Sequence, residues 1–380
     1  MSDCKSRVLD AINHREPDRV PCDYWGTPEV DRMLMDHFRV DSTDGVREKL
    51  GTDIRYIYAS GIIYEDPEGL YGPTPRYIGP KRQAFEDGSF EDLWGVTRKF
   101  VQVASGNTYR EVIRNPLKAM TTVGEIDAYE NWPRAEDFDY SDLREECERQ
   151  KDYALIVGGM PGCATVFIQC WYLRGLDQIL MDLVLSPEMA HGIIARITEF
   201  QVEYHRRLLE EIGDLVDILM LADDYGTQTS LMMSPEHFRT FFKKPTLDLI
   251  ELGKRYGLKI MLHSDGNVRK LIPDFIEMGF DILNPIQNVC PEMDPLDLKR
   301  EFGNDICFHG GIDTQEMLPY ISPEEVGREV RKQIEILGKD GGYILSPTHM
   351  VQLDVPKQNI LALYQTSRDI FSGEFRKGRG

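Results

Sequence analysis

The chain has 380 residues, with 44 Lys plus Arg against 64 Asp plus Glu, giving a formal net charge of −20. That balance excludes a nucleic-acid binder, whose affinity needs a basic footprint, and it argues equally against stable attachment to an anionic membrane. A hydrophobic content of 41% and a charged content of 28% describe a globular chain, long enough for two average domains or one large barrel. No apolar run reaches the ~18 residues of a membrane span. The start, Met1-Ser-Asp-Cys-Lys, has no apolar signal core. Seven cysteines without CxxC spacing point to reduced thiols, so a cytoplasmic location is expected.

Eight β-type runs recur along the chain. In order they are Val20–Trp25, Ile54–Tyr58, Ala154–Gly159, Asp217–Ala222, Leu258–His263, Asp281–Pro285, Ile306–Gly310 and Tyr343–Pro347. Most are apolar on both parities, as parallel strands covered on both faces are. Helix starts fall between them: Ser186-Pro187, Ser234-Pro235 and Ser322-Pro323 place Ser at the N-cap and Pro at N1, and Glu325 completes a capping box. Gly213 and Gly338 stand where C′ glycines are expected. This alternation predicts an α/β fold, a (β/α)8 TIM-type barrel, with a doubly wound open sheet as the runner-up. Residues 61–140 fit neither repeat. They predict a long insertion after the second strand, with hairpins of its own, in a single domain spanning 1–380.

In such a barrel the active site lies at the C-terminal strand ends, and the unusual polar residues collect there. The fourth run enters Asp223-Asp224, the fifth His263-Ser264-Asp265-Gly266, and the sixth supplies Asn284 and Gln287. The seventh carries His309, and the last ends in Ser346-Pro347-Thr348-His349. His263, Asp265 and His349 can face one point, and two imidazoles with a carboxylate suit Zn²⁺ or non-haem Fe(II), with Cys290 as a softer alternative. Asp223, Asp224 and His309 are the candidates for general acid–base work. Adjacent aspartates on a strand point to opposite faces, so only one of that pair can look inward. A plain hydrogen-bonding or capping role is the competing reading for each. Asn284 and Gln287 are candidate substrate contacts. Tyr24, Trp25, Tyr58 and Trp94 could form an aromatic wall. Glycines at 26, 226, 266, 310 and 311 suit tight turns or φ > 0.

These residues sit in stretches that resemble the uroporphyrinogen decarboxylase-like superfamily: ADDYGTQTSLMMSPEHFRTFFKKP, KIMLHSDGNVRKLIPDFIEMGFDILNPIQ, FHGGIDTQEMLP, GGYILSPTHMVQLDVPKQNI and the opening RVLDAINHREPDRVP. The resemblance implies a (β/α)8 barrel and covers most of the chain, with 61–140 weakest. Two activities compete within the superfamily. Its true decarboxylases carry an arginine-rich loop after the first strand, which holds the substrate's carboxylates. The matching Cys22–Pro28 has no arginine, which disfavours a polyanionic tetrapyrrole. In the thiol-methylating, corrinoid-linked branch, zinc is held by a His-x-Cys pair and a final Cys. Here His263 matches the His, while Asp265 and His349 stand at the two Cys positions.

Replacing both thiolates leaves a harder, more electrophilic ion, suited to polarising a methyl ether oxygen. The resemblance therefore implies a methyltransferase that moves a methyl group from a small methylated ether or amine to a corrinoid on a partner protein, with Zn²⁺ as Lewis acid. Carboxy-lyase chemistry is the first alternative and a non-catalytic ligand-binding barrel the second. A hydrolase using metal-activated water is also compatible with the ligand set. The sequence does not set the oligomeric state.

Overall fold

The computed structural model describes residues 3–58, 75–158 and 165–371. The first strand, β1, spans Ile54–Tyr58. Five strands follow: β2 (Arg76–Tyr77), β3 (Phe90–Glu91), β4 (Thr97–Gln102), β5 (Thr108–Arg114) and β6 (Phe138–Asp139). Six more complete the set: β7 (Ala154–Gly158), β8 (Ile218–Ala222), β9 (Lys259–His263), β10 (Ile282–Ile286), β11 (Cys307–Ile312) and β12 (Tyr343–Pro347). Strands β1 and β7 to β12 form one curled sheet, each paired in parallel with the next in chain order. Sequential order without a reversal is that of a TIM-type α/β barrel and overturns the doubly wound alternative. These seven strands begin and end within two residues of the expected runs.

The first expected run, Val20–Trp25, is not a regular strand. Pro21 brings no N–H to a ladder, and the segment instead makes an isolated bridge to β12 and a single backbone hydrogen bond beside β1. On one side the Leu345 N–H donates to the Pro21 carbonyl and the Asp23 N–H to the Leu345 carbonyl, each at 2.9 Å. On the other the Asp53 N–H donates to the Cys22 carbonyl at 2.9 Å. Asp53 reinforces the join, accepting from Cys22 N at 2.8 Å and from the Arg7 and Arg19 guanidinium groups at 2.6 Å. These contacts tie the segment between β1 and β12 as the eighth stave.

The lumen is filled in layers. Ile54, Ile156, Ile218, Met220, Met261, Ile282, Cys307 and Ile344 form one buried cluster, with Ala154 and Tyr56. The helix α1 (Cys4–Ile12) adds Val8 and Ile12 to it, packing on β1, β7 and β12 at their N-terminal ends. Two residues further along β9 to β12, on the same parity, the lining becomes His263, Asn284, His309 and Ser346, all buried. The larger cluster lies outside the strands, between sheet and helices.

The helix Pro323–Leu337 has the expected capping box, and Ser234 accepts the His237 N–H at 3.1 Å. Ser186 makes no side-chain cap bond. Gly213 and Gly338 do end their helices, but with ordinary helical φ of −63° and −79° rather than the left-handed conformation. Between β1 and β7, strands β3 to β5 make an antiparallel sheet and β2 pairs with β6. The tip between β4 and β5 rests on the C-terminal rim: Asn107 donates to Thr27 Oγ1 at 2.6 Å and Glu29 at 2.9 Å, and accepts the Leu353 N–H at 3.1 Å. Among the described residues no helix is long and apolar enough to cross a membrane. The six described cysteines are free thiols.

Candidate functional site

β9 delivers His263 to the top of the lumen, and the turn after it carries Asp265. That turn is pinned on three sides. The Asp265 N–H donates to Asp224 Oδ1 at 2.9 Å, the Gly266 N–H to Gln287 Oε1 at 2.6 Å, and the Asn267 N–H to the Thr227 carbonyl at 2.8 Å. Gly266 has φ of +84°, and Gly226 is pressed against it: a Cβ on Gly226 would lie 2.7 Å from the Asp265 carbonyl. Gly226 is thus required by close approach, not by a left-handed φ.

His349 arrives two residues beyond β12. Ligand atoms of His263, Asp265 and His349 all lie within 4.8 Å of one another. Donors bound ~2.0–2.2 Å from one ion lie at most ~4.4 Å apart, so little closure is needed. Asp265 Oδ2 is 3.5 Å from His349 Nε2, while Asp265 Oδ1 is buried with no hydrogen-bond partner. An orphaned carboxylate oxygen beside two imidazoles is a donor set that a divalent cation would satisfy. The side chains of His349 and Asp265 are 28% and 26% exposed, so the set opens towards the barrel mouth. Asp224 faces the same cluster: burial raises its carboxyl above the usual range, the His263 imidazole opposes that rise, and Asp265 adds to it.

Behind His263 runs a buried chain of side chains. His263 Nδ1 is 2.6 Å from Asn284 Oδ1, Asn284 Nδ2 is 2.6 Å from His309 Nδ1, and His309 Nε2 is 3.0 Å from Asp23 Oδ2. Tyr56 donates its hydroxyl to Asp23 Oδ2 at 2.5 Å and accepts the Trp25 indole N–H at 2.5 Å. The Trp25 ring lies 5.4 Å from that of His263 and 6.0 Å from that of His309.

The profile described as uroporphyrinogen decarboxylase (URO-D) matches residues 113–370. The chain belongs to the URO-D family. A methylated-thiol–coenzyme M methyltransferase from Methanosarcina mazei is 25% identical over 225 residues, 58% of this chain and 56% of that protein. A uroporphyrinogen decarboxylase from Trichodesmium erythraeum is 24% identical over 232 residues, 60% of this chain and 61% of that one. The chain therefore matches less than two thirds of either relative's length. A solved methyltransferase from M. mazei superposes with a TM-score of 0.63 at 16% identity, covering 98% of this chain and 100% of that one. At that identity the likeness shows the fold.

Within this URO-D barrel, the expected site residues divide. His263, Asp265 and His349 come together, with Asp224, Trp25 and Gln287 around them. Asn284 lies in the buried chain, its amide committed to two imidazoles, not to a ligand space. His309 is 0% exposed with both ring nitrogens engaged, so it stands behind the open face as a positioning group. Asp223 points away: it accepts the N–H groups of Val166 and Ile168 at 3.0 Å, at the start of the helix Phe167–Arg174. Burial holds its carboxyl up at about 7, against the pull of those N–H groups.

Tyr24 also points outward, as strand alternation next to Trp25 requires. Its hydroxyl donates to Asp31 at 2.8 Å. Trp94 packs on Trp132 and Phe200 in the outer core. The side chain of Tyr58 lies outside the described residues. Cys290 is buried and points its thiol at Gln228 and Gln287. Sequence reasoning assigned no role to Asp23 or Tyr56. The available signal was parity, since Asp23 shares a face with Trp25, and Tyr56 with Ile54.

Proposed function

We propose that this chain is a methyltransferase that takes a methyl group from a small methylated ether or amine and passes it to a corrinoid carried by a partner protein. The observation that carries the reading is the His263–Asp265–His349 set, with its orphaned carboxylate oxygen and its exposure towards the mouth. Similarity to the M. mazei methylated-thiol–coenzyme M methyltransferase supports the reaction class. A bound divalent cation, zinc above all, would supply Lewis acidity towards the heteroatom that loses its methyl group. The methyl carbon leaves without its bonding pair, which stays on that oxygen or nitrogen.

The chain's own residues supply the rest. His263, Asp265 and His349 would hold the cation. Asp224 and Gln287 fix the turn that carries Asp265. Trp25 packs on the His263 ring and keeps water from that side.

Decarboxylation is the second reading, favoured by the uroporphyrinogen decarboxylase among the relatives. One experiment separates the two. Metal content is measured, and the purified protein is offered methyl ethers and methylamines with a reduced corrinoid protein. Corrinoid methylation that chelation abolishes is expected. Coproporphyrinogen formation from uroporphyrinogen without corrinoid would replace this reading with the other.

A further inference from the structure

We propose that Asp23, His309 and Asn284 form a directed hydrogen-bond relay that sets the tautomer of His263 and so makes its Nε2 an electron-pair donor. The inference rests on the metal-site reading above and deepens it.

Direction follows from the atoms. An amide oxygen only accepts and an amide nitrogen only donates. Asn284 turns Oδ1 to His263 Nδ1 and Nδ2 to His309 Nδ1, both at 2.6 Å. His263 therefore carries its proton on Nδ1, and His309 presents a lone pair there. The His309 proton is then on Nε2, facing Asp23 Oδ2 at 3.0 Å. A carboxylate oxygen only accepts, so Asp23 closes the chain and fixes its sense. Asp23 is itself held from other sides, by the Tyr56 hydroxyl at 2.5 Å and by the Tyr24 N–H at 2.8 Å.

Reversing one member would set two protons or two lone pairs face to face. Asp23 and His309 are 0% exposed and Asn284 1%, so bulk water does not reach the relay to absorb such a mismatch. With Nδ1 committed, the remaining nitrogen of His263 offers its lone pair where Asp265 and His349 gather. Asp23, three hydrogen bonds from that nitrogen, thus acts as a positioning residue through Asn284. Ligand histidines are commonly oriented by a partner on the other ring nitrogen, and here the partner is a relay.

The test uses metal-free full-length protein labelled with ¹⁵N at its histidines. Long-range ¹H–¹⁵N correlation reads which ring nitrogen is protonated, and His263→Gln and His309→Gln assign the signals. Protonation of His263 at Nδ1 and of His309 at Nε2 is expected. In Asp23→Ala both rings should lose this single-tautomer signature, and Zn²⁺ affinity should fall ~10–100-fold. A His263 protonated at Nε2 in the parent protein overturns the proposal. So does an Asp23→Ala variant with unchanged tautomers and Zn²⁺ affinity. If Asp23→Ala does not fold, the parent tautomers decide alone. Absence of Zn²⁺ binding by the parent protein overturns the donor role. Absence of methyl transfer with Zn²⁺ still bound touches only the proposed reaction.

Discussion

The barrel lumen has two storeys of opposite character, built by the same strands. The lower is apolar: Ile156, Met220, Met261, Ile282 and Ile344 meet Val8 and Ile12 of α1. The upper, one pleat further on, holds His263, Asn284, His309 and Ser346, joined by Asp23 and Tyr56. Both are buried, so exposure does not separate them. The lower storey stabilises through area removed from water and through packing, and needs no particular hydrogen-bond direction. The upper one is sound only where each polar atom finds its partner. Among the described residues it opens at Asp265 and His349, and chemistry can occur there.

The largest expected effect breaks the upper storey at its open edge. His263→Ala or Asp265→Ala, or removal of metal by chelation, should reduce methyl transfer to the uncatalysed background, because Lewis acid and substrate site are lost together. Bound metal and corrinoid methylation are measured side by side. Turnover by His263→Ala equal to that of the parent protein would sink the metal-centred reading.

The second prediction breaks the lower storey instead. Ile156→Ala removes a buried branched side chain from the lumen and should lower unfolding stability by about 2–5 kcal/mol. Zn²⁺ affinity of the folded protein should not change. Denaturant unfolding and a metal titration on the same preparation check both halves. A matching loss of affinity would show that the two storeys are not independent.

Much of this contrast is legible in the sequence, and the missing part has physical causes. Apolar runs with strand-end polar residues give seven strands to within two residues, because a parallel strand covered on both faces must be apolar throughout. The eighth stave was expected as a strand, but Pro21 interrupts its ladder. The convergence of His263, Asp265 and His349 is legible because each ends or follows a strand. Asp223 was ambiguous because strand spacing says that one of two adjacent aspartates faces inward, not which. The roles of Asn284 and His309 were hidden, since whether a polar side chain meets ligand or protein depends on neighbours twenty or more residues away, and Asp23 lies 286 positions from His309.

A smaller effect sharpens the comparison from outside the lumen. His205 is buried in the helix Pro187–Ile212, with Nδ1 2.8 Å from the Gln201 carbonyl. Burial lowers its folded-state pKa to about 4, the carbonyl opposing. As pH falls below 6.5 the unfolded chain takes up this proton and the folded one does not until about 4. Stability is therefore lost across that window, by on the order of 3 kcal/mol at its acid end. The slope of unfolding free energy against pH should shrink in His205→Gln. An unchanged slope would assign the acid loss to other groups.

The smallest effect tests whether every polar atom of the upper storey matters. Ser346 lies on the same parity as Ile344, and its hydroxyl is fully buried with no hydrogen-bond partner. A buried hydroxyl that makes no bond costs desolvation without return. Ser346→Ala should therefore leave stability unchanged or raise it by up to ~1 kcal/mol, with the tautomers of His263 and His309 as before. Chemical denaturation and the same histidine spectra read both. A loss of 1 kcal/mol or more would show that Ser346 belongs to the polar network after all, and that the relay extends from Asp23 across to β12.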